Sequence, residues 1–126
     1  MKRELLALLL LALLIAGAFL NIRHIDSLTQ SVSACLDRSE KYAGEGDFDG
    51  ALAAFESGLS LWHSARSYTN VFIRHPELDA TYDTFYELEE ALLQQDAEAL
   101  PAVYSKLQYH LSCISFMEHL SAGSVF

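Results

Sequence analysis

The sequence predicts an all-α chain: an N-terminal transmembrane helix followed by a small four-helix up-down bundle or two stacked helical hairpins. Three observations carry the prediction. Lys2 and Arg3 precede an uncharged apolar run over residues 5–20, LLALLLLALLIAGAFL. Downstream, apolar residues recur at spacings of three and four, with no sustained alternation of apolar and polar positions. Gly and Pro fall at only a few punctuation points.

The apolar run comes first. Its 16 residues would span roughly 24 Å as a helix, a little short of the ~30 Å hydrocarbon core. Arg3 and Arg23 flank it, about 30 Å apart on a helix, and their side chains can snorkel to the two interfaces. Nine Leu, one Ile and one Phe favour insertion by about 5 kcal/mol in total. Ala16-Gly17-Ala18 mimics a signal-peptidase site. The apolar character nevertheless continues through Phe19 and Leu20, which favours a retained anchor over residues 1–23. Cys35 is too far from the run for lipoprotein-type attachment. The Lys2/Arg3 asymmetry predicts a cytoplasmic N-terminus, with residues 24–126 as a domain outside a cell membrane crossed once.

The first helix of that domain is expected over residues 27–43, with Leu28, Val32, Cys35 and Tyr42 on one face, either separate from the membrane helix or continuous with it. Gly44-Glu45-Gly46 should end it. Asp47 is a natural N-cap for a long second helix reaching Phe72 and Ile73, roughly 26 residues, with Phe48, Leu52, Phe55, Leu59 and Trp62 as its apolar stripe. His75-Pro76-Glu77 marks the next break, because a residue before Pro avoids helical geometry and Pro suits the first helical turn. A third helix over residues 76–94 should bury Leu78, Tyr82, Phe85, Leu88 and Leu92. Asp96 should open a fourth, over residues 96–120, burying Val103, Leu107, Leu111, Ile114 and Met117, its start subject to Pro101. Residues 121–126 read as a frayed end. Short connections imply antiparallel neighbours. Two matches at an offset of 49 positions, Asp47 with Asp96 and Phe55 with Tyr104, hint at an internal repeat that favours stacked hairpins.

Composition narrows the function. Beyond residue 20 the chain holds 16 acidic and 6 basic side chains, a net charge of −10. Such a surface repels nucleic acid and anionic lipid. Cys35 and Cys113 would form either a disulfide outside the cell or two buried thiols at helical spacing. His24, His63, His75, His110 and His119 are scattered, with no metal-type spacing on one helix face, and no cofactor motif is present. The serines lie outside any nucleophile-elbow or S-x-x-K context.

Three features invite a functional reading. Glu45, Asp47, Asp49, Gly50 and Glu56 occupy calcium-loop positions 1, 3, 5, 6 and 12. The apolar stripe from Phe48, however, runs unbroken through this segment and favours a helix capped by Asp47. Trp62, Tyr68, Phe72, Tyr82, Phe85 and Tyr86 flank the break between the second and third helices, and read as hairpin core rather than as a ligand cage. Asp79, Asp83, Glu87 and Glu90 recur at spacings of four, four and three. Like charges so placed cost a few tenths of a kcal/mol per pair. They form either a solvated face or a docking strip for a basic partner.

Residues 42–59, YAGEGDFDGALAAFESGL, resemble part of a tetratricopeptide repeat through Tyr42, Gly46, Ala51, Phe55, Gly58 and Leu59. Arg38 and Ser39 stand where that motif has Leu-Gly, and His63 stands near its terminal Pro. The resemblance implies helix-pair packing and an interaction surface. Over nearly its whole length, the chain also resembles a bacterial membrane-protein family known as domain of unknown function 4363. The resemblance lies in the anchor, the Gly-Asp-Phe turn, Trp62 and the FIRHPELD segment at residues 72–79, with Pro76 as a departure. It implies architecture and location and carries no activity. The combined expectation is a membrane-anchored, non-enzymatic helical interaction module that binds another protein. The alternative is a small ligand- or cation-sensing helical domain.

Overall fold

The computed structural model describes residues 1–73 and 75–125; of the side chains of residues 71, 72 and 118–125 nothing is described. Among the described residues the chain forms five helices and no strand: α1 (Lys2–Gly44), α2 (Phe48–Ser64), α3 (Arg66–Phe72), α4 (His75–Leu93) and α5 (Leu100–Val125). The chain is all-α, and α1 alone is long and apolar enough to cross a membrane among the described residues.

α1 is a single helix of 43 residues, about 64 Å long. Leu and Ala dominate its first half, and no Gly-Pro punctuation interrupts the passage from the apolar run to the polar segment. The predicted anchor and the predicted first helix are therefore one rod. Residues 1–20 bury nothing against the rest of the chain beyond a half-covered Ala18. From Ile25 onward one face sinks into the core through Ile25, Thr29, Val32, Leu36 and Ser39, with Cys35 beside them. That stripe continues to half-buried Ala43, which leaves Tyr42 at the rim and exposed, contrary to expectation.

The end of α1 closes as the glycines suggest. Gly46 takes φ +81°, a conformation that costs an L side chain energy. The Asp47 N–H bonds the Tyr42 carbonyl at 2.9 Å and the Gly46 N–H bonds that of Ala43 at 3.1 Å, which satisfies otherwise orphaned carbonyls. Asp47 then caps α2, its carboxylate accepting the Gly50 N–H at 2.9 Å. A Cβ at residue 50 would lie 2.6 Å from that carboxylate, so Gly50 leaves room for the cap. Residues 49–56 are helix, which rules out a calcium loop wrapped by this segment. Ala51, Ala54, Phe55, Gly58 and Trp62 are buried. A Cβ at Gly58 would sit 3.1 Å from that of Cys35, so the glycine permits a close crossing of α1 and α2.

The long second helix of the sequence reading is broken at Ala65 into α2 and α3. After Trp62 the stripe reaches Arg66, a charge the core cannot accept unpaired. Ser64 bonds the Leu61 carbonyl with its hydroxyl at 2.8 Å and competes with the backbone ladder. The redirected chain seats Thr69 in the core and brings Tyr68 to α1, where its hydroxyl donates to Asn21 and its ring meets His24 at 4.2 Å.

α4 begins at His75, one residue before Pro76, close to the predicted start; Arg74 of the FIRHPELD segment lies outside the described residues. Leu78, Phe85, Leu88 and Leu92 are buried as expected, and Tyr82 half-buried. α4 closes like α1, with Gln95 at φ +53° and the Asp96 N–H on the Ala91 carbonyl at 3.0 Å. Asp96 accepts the Ala99 N–H at 3.3 Å, yet α5 starts at Leu100, because Pro101 has no N–H to continue the ladder back to Ala97. α5 continues to Val125, beyond the end expected near residue 120; Phe126 lies outside the described residues. Met117 is exposed, whereas Tyr104, absent from the expected core, is fully buried.

The offset of 49 extends well past two matches. Gly46 and Gln95 both take left-handed backbone; Asp47 and Asp96 both cap; buried Leu36, Ala51, Phe55, Gly58 and Trp62 map onto buried Phe85, Leu100, Tyr104, Leu107 and Leu111. The two helical hairpins are thus two copies of one burial pattern. α1 packs on α2 and α5, and α4 packs on α5 and α2. The two seams between hairpins differ in chemistry. Between α2 and α4, Phe85 meets Phe55 and Trp62 at ring separations of 6.1 and 6.2 Å. Between α1 and α5, the Ser33 hydroxyl donates to Gln108 Oε1 at 2.5 Å, Gln108 Nε2 donates to Asp37 at 3.0 Å, and Ser115 donates to Asp26. At the end of that seam where α1 finishes and α5 begins, the Tyr104 hydroxyl donates to Ser39 Oγ at 2.6 Å, and Ser39 donates to the Ala51 carbonyl at 2.7 Å.

Ser39→Ala should leave two buried polar groups short of partners and cost about 1–3 kcal/mol. Tyr104→Phe in that background should cost less than in the wild type. Denaturant unfolding of the four proteins of this cycle measures the coupling. Burial holds the Tyr104 hydroxyl above its ordinary pKa of 10.0. The unfolded chain releases this proton first, so stability should fall as pH rises above about 10. Tyr104→Phe should flatten that decline in alkaline melting curves.

Candidate functional site

The acidic strip predicted on the third helix lies on α4. Because α4 buries Leu78, Thr81, Phe85, Leu88 and Leu92 on one side, helical spacing puts Asp79, Asp83, Glu87 and Glu90 on the other. All four are exposed. They share one outward face over about 16 Å of helix. Two of them make side-chain contacts. Glu87 pairs with Lys106 of α5 at 3.1 Å, both side chains about half exposed, a geometry worth at most ~1 kcal/mol. Glu90 accepts from Gln94 at 3.3 Å. The face therefore keeps a strongly negative field, directed away from the bundle.

Two apolar side chains border the strip that the sequence reading did not place there. Tyr86 is 55% exposed and Leu93 is 63% exposed. Tyr86 was expected in the hairpin core. The buried stripe of α4 passes through Phe85 and Leu88 instead, so its neighbour points outward. The signal was available: Tyr86 falls off the three-and-four spacing of Leu78, Phe85, Leu88 and Leu92. Acidic groups beside an exposed aromatic and an exposed Leu can hold a basic side chain by its charge and by its methylene stem.

The remaining aromatics divide. Trp62 is 0% exposed and meets Tyr82 edge-on at 6.4 Å, and Phe85 is also buried. Tyr68 and Tyr82 are half-buried, and the side chain of Phe72 lies outside the described residues. His63 stacks on Tyr82 at 5.3 Å. This corner is core, and it is imperfectly satisfied: Trp62 Nε1, Tyr82 Oη and Glu77 Oε2 are buried without a hydrogen-bond partner among the described residues. Burial raises the Tyr82 pKa, opposed by nearby Arg66 and aided by Tyr86.

Cys35 and Cys113 are both free, Cys35 buried against Gly58 and Cys113 half-exposed beside Tyr109. No group of three or more His, Cys, Asp or Glu is assembled to hold a metal among the described residues. His24 and His63 each contact a tyrosine ring, His75 is exposed at the start of α4, and the side chain of His119 lies outside the described residues.

Tyr82→Phe should be neutral or stabilising by up to about 1 kcal/mol, since it removes a buried hydroxyl that bonds nothing among the described residues and keeps the ring. Trp62→Ala should cost about 3–5 kcal/mol through lost burial and a residual cavity. Urea midpoints of the two variants, measured beside the wild type, check both signs.

No family model, curated protein or solved structure matches this chain, and its function has to be read from the geometry above.

Proposed function

We propose that the chain is a membrane-anchored, non-enzymatic interaction module. Residues 1–23 anchor it, and residues 24–126 form a four-helix up-down bundle on the outer side of the cell membrane, with the N-terminus in the cytoplasm. The closed circuit of packing, α1 to α2 to α4 to α5 and back to α1, supports the bundle. The uniformly exposed apolar side chains of residues 5–15 and of Phe19 and Leu20 support the anchor, since a surface so large and so apolar needs a covering phase. Lys2 and Arg3 support the orientation. The resemblance to domain of unknown function 4363 and the tetratricopeptide-like hairpin at residues 42–59 agree with this reading.

The observation that carries the function is the α4 face. Asp79, Asp83, Glu87 and Glu90 stand exposed beside Tyr86 and Leu93 on a helix whose other side is locked into the core. The partner it suits is a basic segment of another protein, recognised by charge and by stacking of Arg or Lys stems.

Two measurements test the reading. The chain should stay in the pellet when membranes are extracted at high pH, and a C-terminal tag should be open to protease on intact cells. A soluble chain starting near Phe19, or a protected tag, overturns the placement. A photoreactive residue at position 86 should capture a protein in native membranes. Changing Asp79 and Asp83 to Asn and Glu87 and Glu90 to Gln should abolish capture while moving the melting temperature little. Capture that survives these changes and 0.5 M salt, a concentration that screens surface charge to within roughly 4 Å, overturns the acidic docking site.

A further inference from the structure

Two grooves on the flank of the molecule meet at His24 and Tyr68. The lower, about 710 Å³, is walled by Leu13, Leu14, Gly17 and Ala18 of α1 and reaches up to Asn21. The upper, about 540 Å³, lies between α1 and the break at Ala65, and is faced by Ser27, Ser31, Ser64 and Ser67. His24 and Tyr68 line both. Together they make one amphipathic channel along α1, hydrocarbon-lined below and hydroxyl-lined above. Among the described residues, no Lys, Arg, Asp or Glu lines either part. The channel exists because the chain leaves the helix at Ala65 and α3 is redirected, with Tyr68 reaching across to Asn21 and His24. Gly17 widens its floor: a Cβ there would meet nothing within 4 Å.

We propose that this channel is a binding site for one phospholipid drawn from the surrounding leaflet. The inference rests on the anchor reading, which sets the lower groove at bilayer depth. Its wall is then the surface of the span itself, and the phase around a span is acyl chain. From Leu13 to Asn21 the apolar part follows α1 for about 12 Å, within the roughly 15 Å of hydrocarbon in one leaflet. The upper part meets the headgroup with serine hydroxyls and the His24 imidazole, which can donate to phosphate oxygens. With no Lys or Arg among the described lining residues and a domain of net charge −10, a zwitterionic headgroup fits and a net anionic one is repelled.

The test uses the full chain in lipid nanodiscs of phosphatidylcholine, doped with phosphatidylcholine carrying a photoreactive group on one acyl chain. After irradiation, adducts are mapped by mass spectrometry. Adducts on the groove face, at Leu13, Leu14, Gly17 and Tyr68, should exceed those on the opposite face of the same helix, at Leu8, Ile15 and Phe19, by roughly tenfold. Gly17→Leu, which fills the floor without a clash, should remove that excess and leave the opposite face labelled. Photoreactive phosphatidylglycerol should label the groove face less than phosphatidylcholine does. Equal labelling of both faces, an excess that survives Gly17→Leu, a stronger phosphatidylglycerol signal, or crosslinks to a second copy at the groove each overturn the proposal. Failure of the anchor reading has its own signature: no adduct anywhere in residues 5–20.

Discussion

A chain of two buried hydrogen bonds holds the two hairpins to each other. Tyr104 of α5 donates to Ser39 of α1, which donates to the carbonyl of Ala51 at the start of α2. Ser39, Tyr104 and Ala51 are all 0% exposed. Each polar group finds its partner in this chain, so the arrangement tolerates little sliding of α5 along α1 before a buried group is orphaned. The rest of the α1–α5 seam is organised around that register. Gln108 lies one turn further along α5 and reaches Ser33 and Asp37, and Ser115 lies two turns beyond that and reaches Asp26.

The duplicated burial pattern makes the chemistry of this seam informative. At an offset of 49, Ser39, Ala51 and Tyr104 correspond to Leu88, Leu100 and Phe55. Ser39 and Tyr104 carry hydroxyls where α1 meets α5, and their counterparts Leu88 and Phe55 carry methyls and a bare ring where α2 meets α4. Apolar contacts are non-directional and permit several registers at similar energy. Directed hydrogen bonds permit one. The α2–α4 seam adds non-directional adhesion, and the hydrogen bonds of the α1–α5 seam select how the hairpins align.

The sequence was most legible where local chemistry decides the structure. Asp47, Gly46 and Pro76 mark helix ends through backbone rules that act within a few residues, and those ends fell close to where they were expected. The exposed acidic strip follows from helical spacing once Leu78, Phe85 and Leu92 are assigned inward. The break at Ala65 was not legible in the apolar stripe, because no Gly or Pro marks it; its signs are Arg66 arriving on the buried face and Ser64 competing for a carbonyl. Tyr42, Tyr86 and Tyr104 show the other limit. A tyrosine suits both core and rim, and its place depends on whether a partner such as Ser39 waits inside. Nothing local to Tyr104 announces a serine 65 residues earlier in the chain.

The single rod of α1 has a mechanical consequence. A flexible linker would let a tethered domain swivel freely, whereas an unbroken helix is stiff in bending and in torsion over this length. The last turns of the apolar run continue without interruption into Ile25 and Thr29, which are locked in the core. Any tilt or axial rotation of the apolar segment must therefore turn the bundle with it. The azimuth of the α4 face is then geared to the azimuth of the rod, and a neighbour that grips one end reorients the other. The molecule behaves as a crank rather than as a tether.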